Sequence, residues 1–85
     1  MLSLLRQSDV SKKFGAARPT IYEWMTDGLF PRPIKFGRKF AAWPEHEADA
    51  ILAARIQGKS KEEIRELVIE LTEARQHTTL EKLAD

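Results

Sequence analysis

The sequence predicts a mostly helical chain of four helices with a short β-hairpin, the winged helix-turn-helix class, and three observations carry that expectation. Two short amphipathic segments, one from Gln7 to Phe14 and one beginning near Arg18-Pro19, are separated by about three residues that include Gly15. The stretch from Ile34 to Trp43 reads apolar, cationic, apolar, the form of strand, turn and strand. Two segments of helical period then follow, divided by Gly58.

In the first segment Val10 and Phe14 stand four apart and share a helix face, and Gly15 follows where a left-handed residue ends a helix. Gly15-Ala16-Ala17 is the tight turn. Pro19 suits a first helical turn, because its missing N–H has no intrahelical partner there. Ile21, Trp24 and Met25 recur at i, i+3 and i+4 and form the buried stripe, and Asp27-Gly28 stops the helix. Trp24 and Trp43 are expected in the core rather than as exposed stacking platforms.

Phe30-Pro31-Arg32-Pro33 cannot be helix interior, since proline removes a donor and fixes φ. The pair of prolines reads as a rigid lead into the hairpin rather than as a proline-rich ligand. Ile34-Lys35-Phe36 and Phe40-Ala41-Ala42-Trp43 are the expected strands, with Gly37-Arg38-Lys39 as the turn, Gly37 supplying its conformation and the flanking apolar residues packing inwards. So short a hairpin needs the helices beneath it.

Pro44-Glu45-His46-Glu47 opens the third helix with helix N-terminal chemistry, and Ala48, Ile51, Leu52 and Ile56 are its expected inner stripe. Ser60 and Glu63 form a capping-box pattern for a fourth helix from about Lys61 to Gln76. Ile64, Leu67, Val68, Leu71 and Ala74 make its stripe, and Ile69 lies off it. His77-Thr78-Thr79 marks a break, and Leu80 to Asp85 is expected to fray.

At 85 residues the chain has room for one domain. Residues 1–57 are assigned to a winged helix-turn-helix DNA-binding domain and 58–85 to a helical extension of that same domain. The absence of cysteine excludes disulfides, thiolate zinc sites and thiol nucleophiles. His46 and His77 are the only histidines, so no metal site is expected. Glu66, Glu70 and Glu73 share a face that reads as solvated rather than catalytic. No glycine-rich phosphate loop is present. An enzyme, a cofactor and a small-molecule substrate are therefore not expected. No apolar run has the length of a signal peptide or a membrane span, so a cytoplasmic protein without membrane contact is expected.

The net charge of +1 conceals a division. Residues 1–43 carry eight basic and three acidic side chains, a balance of +5, and residues 44–85 carry six and ten, a balance of −4. One half is suited to a polyanion. With Ile21, Trp24 and Met25 turned inwards, the second helix presents Arg18, Thr20, Tyr22, Glu23 and Thr26 outwards, towards a major groove. Arg18 can fork onto guanine or a phosphate, Thr20 and Tyr22 offer hydroxyls, and Glu23 can accept from a cytosine amine. Lys35, Arg38 and Lys39 place cations on the wing, narrow enough for a minor groove. Lys12 and Lys13 are candidates for a flanking phosphate. The competing class is a protein-interaction module, in which the helix Lys61 to Gln76 docks a partner or a second copy.

The run Leu5-Arg6, Val10, Gly15, Arg18-x-Thr20-Ile21-Tyr22-x-Trp24, Gly28-x-Phe30-Pro31-x-Pro33-x-Lys35-x-Gly37 and Ala42-Trp43 resembles the AlpA family, small regulators of prophages and integrative elements. The similarity covers roughly residues 4 to 57, and the segment Gly58 to Val68 resembles extensions found in that family. It implies a fold like that of excisionases and MerR regulators. It also implies a bacterial, nucleoid-bound protein that reads double-stranded DNA at promoters or attachment-site arms. There it switches on an integrase gene or, in an excisionase-like role, directs excision by bending DNA, with an integrase as a possible partner. By position the resemblance puts Arg18, Thr20 and Tyr22 on the recognition helix and Lys35 and Lys39 on the wing. The chain departs from the family pattern at Ala17, where serine is usual, at Glu23, where a basic residue is common, and at Phe40, where the wing is often polar or basic.

Overall fold

A computed structural model of the chain describes residues 3–77. The elements run β1 (Leu4–Leu5), α1 (Gln7–Phe14), α2 (Arg18–Thr26), β2 (Ile34–Lys35), β3 (Ala41–Pro44), α3 (Glu45–Ile56) and α4 (Lys61–Ala74), and a 3₁₀ turn over Arg75–His77 completes them. The described residues thus hold four α-helices and one small antiparallel sheet in a mostly helical chain, the architecture of a winged helix-turn-helix. The expected break at His77-Thr78-Thr79 and the tail Leu80 to Asp85 lie largely outside the described residues.

Local chemistry sets the helix ends. The Asp9 carboxylate accepts the Arg6 N–H at 3.0 Å and fixes the start of α1. At its other end Gly15 adopts φ 63°, its N–H donates to the Lys12 carbonyl and the Ala16 N–H to Ser11, which satisfies carbonyls a helix end leaves open. Gly28, at φ 77°, ends α2 in the same way through Gly28 N–H to Met25 and Leu29 N–H to Trp24. The capping box at α4 forms as expected: the Glu63 N–H donates to Ser60 Oγ at 3.2 Å and the Ser60 N–H to the Glu63 carboxylate at 3.1 Å. The Ser60 N–H, and the Ser60 hydroxyl beside it, hold the Glu63 carboxyl below its ordinary range, with Lys59 adding to the effect.

The sheet has one strand more than the sequence suggests. β1 pairs with β3 (Leu4 with Pro44, Leu5 with Trp43) and β2 pairs with its other edge (Ile34 with Ala42, Lys35 with Ala41), giving the order β1-β3-β2. Two residues carry too little alternation to read as a strand, and only the partner β3 makes β1 one.

The core joins every layer: Val10 of α1, Ile21 and Met25 of α2, Leu29 and Phe30 of the connection, Trp43 of β3, Ile51 and Ala54 of α3 and Ile64 of α4. Phe30 is the aromatic hub, edge-on to Phe14 at 5.3 Å and to Trp43 at 5.8 Å between ring centres. The buried Trp43 indole donates to the Pro31 carbonyl at 2.7 Å. Leu67, Val68 and Leu71 of α4 pack against this core from its margin.

Five local expectations are corrected. Ile56 is 78% exposed, because α3 turns Ala54 and Glu47 inwards instead. Ala74, at the end of α4, is exposed rather than buried. Phe36 is 50% exposed rather than packed inwards, its ring lying against Phe40 at 5.3 Å. Gly37 does not take a positive φ, so the wing turn closes through the Phe36 N–H to Phe40 carbonyl bond at 2.8 Å and not through glycine's left-handed freedom. Trp24, expected in the core, is half-buried, and a guanidinium takes the place of apolar cover: Arg55 Cζ lies 4.1 Å from its ring centre.

Candidate nucleic-acid interface

The candidate surface begins with the short turn between α1 and α2. Three residues, Gly15 to Ala17, join the two helices, and Val10 and Ile21 bury the seam between them. With Ile21 and Met25 committed inwards, helical period leaves Arg18, Tyr22, Glu23 and Thr26 exposed. Thr20 is only partly so. α2 starts at Arg18 without a side-chain cap from Ala17, whose carbonyl accepts the Thr20 and Ile21 N–H groups at 3.0 and 3.2 Å. Pro19 has no N–H to satisfy, which reduces what the missing cap costs.

Arg18 and Tyr22, one turn apart, form a unit. The Arg18 guanidinium carbon is 5.4 Å from the Tyr22 ring centre, and its Nη2 lies 3.5 Å from the phenol oxygen, the outer limit of a hydrogen bond. Stacking restricts a side chain that otherwise has many rotamers, on a residue that stays exposed. Glu23 and Thr26 sit beside this pair along a shallow depression that also includes Pro19 and Asp27.

On the wing, Lys35, Arg38 and Lys39 are exposed, and among the described residues none of their side chains has an ion-pair or hydrogen-bond partner. The wing is braced from the residue that precedes α1: the Arg6 guanidinium caps the Phe40 ring at 4.3 Å, and Phe40 in turn stacks on Phe36. The two lysines of α1 differ. Lys12 is exposed, whereas Lys13 Nζ lies 2.5 Å from Asp49 Oδ1 of α3, a bond that raises its pKa above the ordinary lysine value. Lys13 is therefore already engaged within the chain.

Four arginines that the sequence reading passed over complete the surroundings. Arg6 caps Phe40 and Arg55 caps Trp24, where burial lowers the Arg55 pKa and leaves its Nε and Nη2 without partners among the described residues. Arg65 Nε donates to the Asp27 carbonyl at 2.9 Å. Arg75 forks onto the fully buried Glu47 carboxylate and also donates to the Arg32 carbonyl at 3.0 Å. Each acts on a residue far away in sequence, so no local spacing announces it. Glu66 and Glu70 are exposed and line an open groove with Ala50 and Ala53 of α3. Among the described residues no three acidic or histidine side chains gather as a metal ion requires. No described helix is long and apolar enough to cross a membrane.

A family model described as prophage CP4-57 regulatory protein (AlpA) matches residues 3–56. The chain is 39% identical over 57 residues to the uncharacterized protein ORF88 of Enterobacteria phage P4, an overlap that takes in 67% of this chain and 65% of that protein. It is 38% identical over 58 residues to the DNA-binding transcriptional activator AlpA of Escherichia coli (strain K12), covering 61% of this chain and 83% of that one. No solved structure matches.

Proposed function

Because the chain belongs to the AlpA family of prophage regulatory proteins, we propose that it binds double-stranded DNA in a sequence-specific way and regulates transcription of a prophage or related integrative element. One observation carries the reading: α2 presents the stacked Arg18–Tyr22 pair to solvent, and the wing that follows presents three unpartnered cations. α2 reads base edges in the major groove, with Arg18 as the forked donor, Tyr22 as its support and a hydroxyl contact, and Thr20 and Glu23 as secondary readers. Lys35, Arg38 and Lys39 hold the sugar–phosphate rail of the neighbouring minor groove, and Lys12 is placed for a flanking phosphate. The name of the Escherichia coli relative, a DNA-binding transcriptional activator, supports the same assignment.

Selection from a random duplex library at physiological salt tests this, and recovery of a defined site is the expected result. Failure to enrich any duplex sinks it. Footprinting on the element's own DNA then separates two uses of one surface. A single site at an integrase promoter marks a regulator, and phased tandem sites in an attachment arm mark an excisionase-like factor that bends DNA. Docking through the apolar stripe of α4 is the weaker reading, because Ile64 is buried in the core and Leu67, Val68 and Leu71 pack against it. Only Ile69, 57% exposed, remains as a large apolar contact outside the stripe.

A further inference from the structure

The recognition helix and the wing are joined by residues 27–33, and α4 together with the 3₁₀ turn that follows it grips that connection at two points. At its start, Arg65 Nε donates to the Asp27 carbonyl at 2.9 Å, a charged donor just past the end of α2, where carbonyls lack intrahelical partners. Gly28 lies against the same side chain, so a Cβ there would stand 3.7 Å from Arg65 Cγ. Towards its end, Arg75 Nη2 donates to the Arg32 carbonyl at 3.0 Å. That guanidinium is itself held: Nε reaches Glu47 Oε2 at 2.8 Å and Nη2 reaches Oε1 at 2.6 Å, and Glu47 is fully buried. Between the two grips Leu29, Phe30 and Pro31 are buried, and Trp43 holds the Pro31 carbonyl.

Resting on the DNA reading above, we propose that Arg65 and Arg75 are positioning residues for DNA binding: acting from α4 and from the 3₁₀ turn at its end, they set the angle between α2 and the wing so that both meet adjacent grooves of one duplex together. Two contact elements on one duplex gain affinity only if their relative placement is fixed beforehand, since otherwise ordering the connection subtracts from binding. Neither arginine needs to touch DNA. The role makes α4 a frame for the interface.

The test uses the full chain and a duplex carrying the best site recovered by selection. Hydroxyl-radical footprints and salt dependence are compared for wild type, for the double variant Glu47→Met/Arg75→Met, which leaves no unpaired buried charge, and for Arg75→Lys, which keeps a cation for Glu47 but cannot fork to Arg32. Arg65→Met reports the other grip. Expected for the Glu47/Arg75 variants is loss of the wing's protections with those of α2 retained, a salt slope lower by about three, and affinity about tenfold weaker at physiological salt. A purely stabilising role would weaken every protection in step and would be restored by cooling. That outcome, or a folded double variant with the wild-type footprint, overturns the proposal. If the double variant does not fold, Arg75→Lys decides by the same two readouts. A wild-type chain that protects no duplex overturns the DNA reading and this inference with it, whereas a wild-type footprint unchanged by the variants overturns this inference alone.

Discussion

Arg75 and Glu47, 28 residues apart in sequence, meet in a two-point ion pair whose carboxylate has no exposed surface. Removing one partner strands a charge in the interior. Arg75→Ala is expected to cost about 3–5 kcal/mol in urea unfolding. Replacing both with methionine is expected to cost far less or nothing, because no charge is then left without its counterpart. Equal losses in the single and double variants would show that the carboxylate is not the reason.

Arg18→Ala is expected to relax base preference and to weaken the best site by about 1–3 kcal/mol, read as binding to that site and to single-base variants of it. Tyr22→Phe keeps the ring beneath the guanidinium and is expected to lose only the hydroxyl contact, whereas Tyr22→Ala frees Arg18 as well and is expected to approach the Arg18→Ala result.

Arg38→Ala together with Lys39→Ala is expected to weaken all duplexes alike and to lower the salt slope by about two, measured from binding at several salt concentrations. Lys13→Ala is expected to leave the slope unchanged, because that ammonium is already paired with Asp49.

The two tryptophans are expected to part company. Trp43, 2% exposed and bonded to Pro31, is expected to cost about 3–5 kcal/mol on change to alanine. Trp24, half-buried beneath Arg55, is expected to cost clearly less. Urea midpoints of the two variants, compared at equal slope, check the order.

The capping box of α4 predicts an acid effect. The bonds with Ser60 favour the ionised Glu63, so its folded pKa lies below the ordinary value of 4.5. The stabilisation is therefore complete above that value and is lost as pH falls through the folded pKa. Glu63→Gln is expected to flatten the fall in stability below about pH 4.5, read from thermal unfolding across that range.

The helices were largely legible because their determinants are local. Val10 and Phe14, Ile21 and Met25, Gly15, Gly28, Ser60 and Glu63 each act within one or two turns of their own helix. What stayed hidden depends on distant partners. β1 is a strand only because β3 lies beside it. Glu47 looks like one more carboxylate in a first helical turn until Arg75 closes over it. Ile56 obeys the apolar period yet faces water, because α3 packs along a face centred on Ala48, Ile51 and Ala54. At the candidate interface the residue types and their order could be read in advance. The stacking of Arg18 on Tyr22, the engagement of Lys13 and the arginines that hold the wing could not, since each depends on geometry that no spacing encodes.

One turn of α3 gathers both flanks of the described chain. Ser3 donates to Glu45 through its hydroxyl at 2.7 Å and accepts the Glu45 N–H at 2.8 Å, while Arg75 closes on Glu47 two residues further along. The fold is therefore a closed circuit rather than a row of separable pieces. Neither flank can peel away without loosening the helix turn that anchors the other, so melting should pass through one cooperative step with no half-open species.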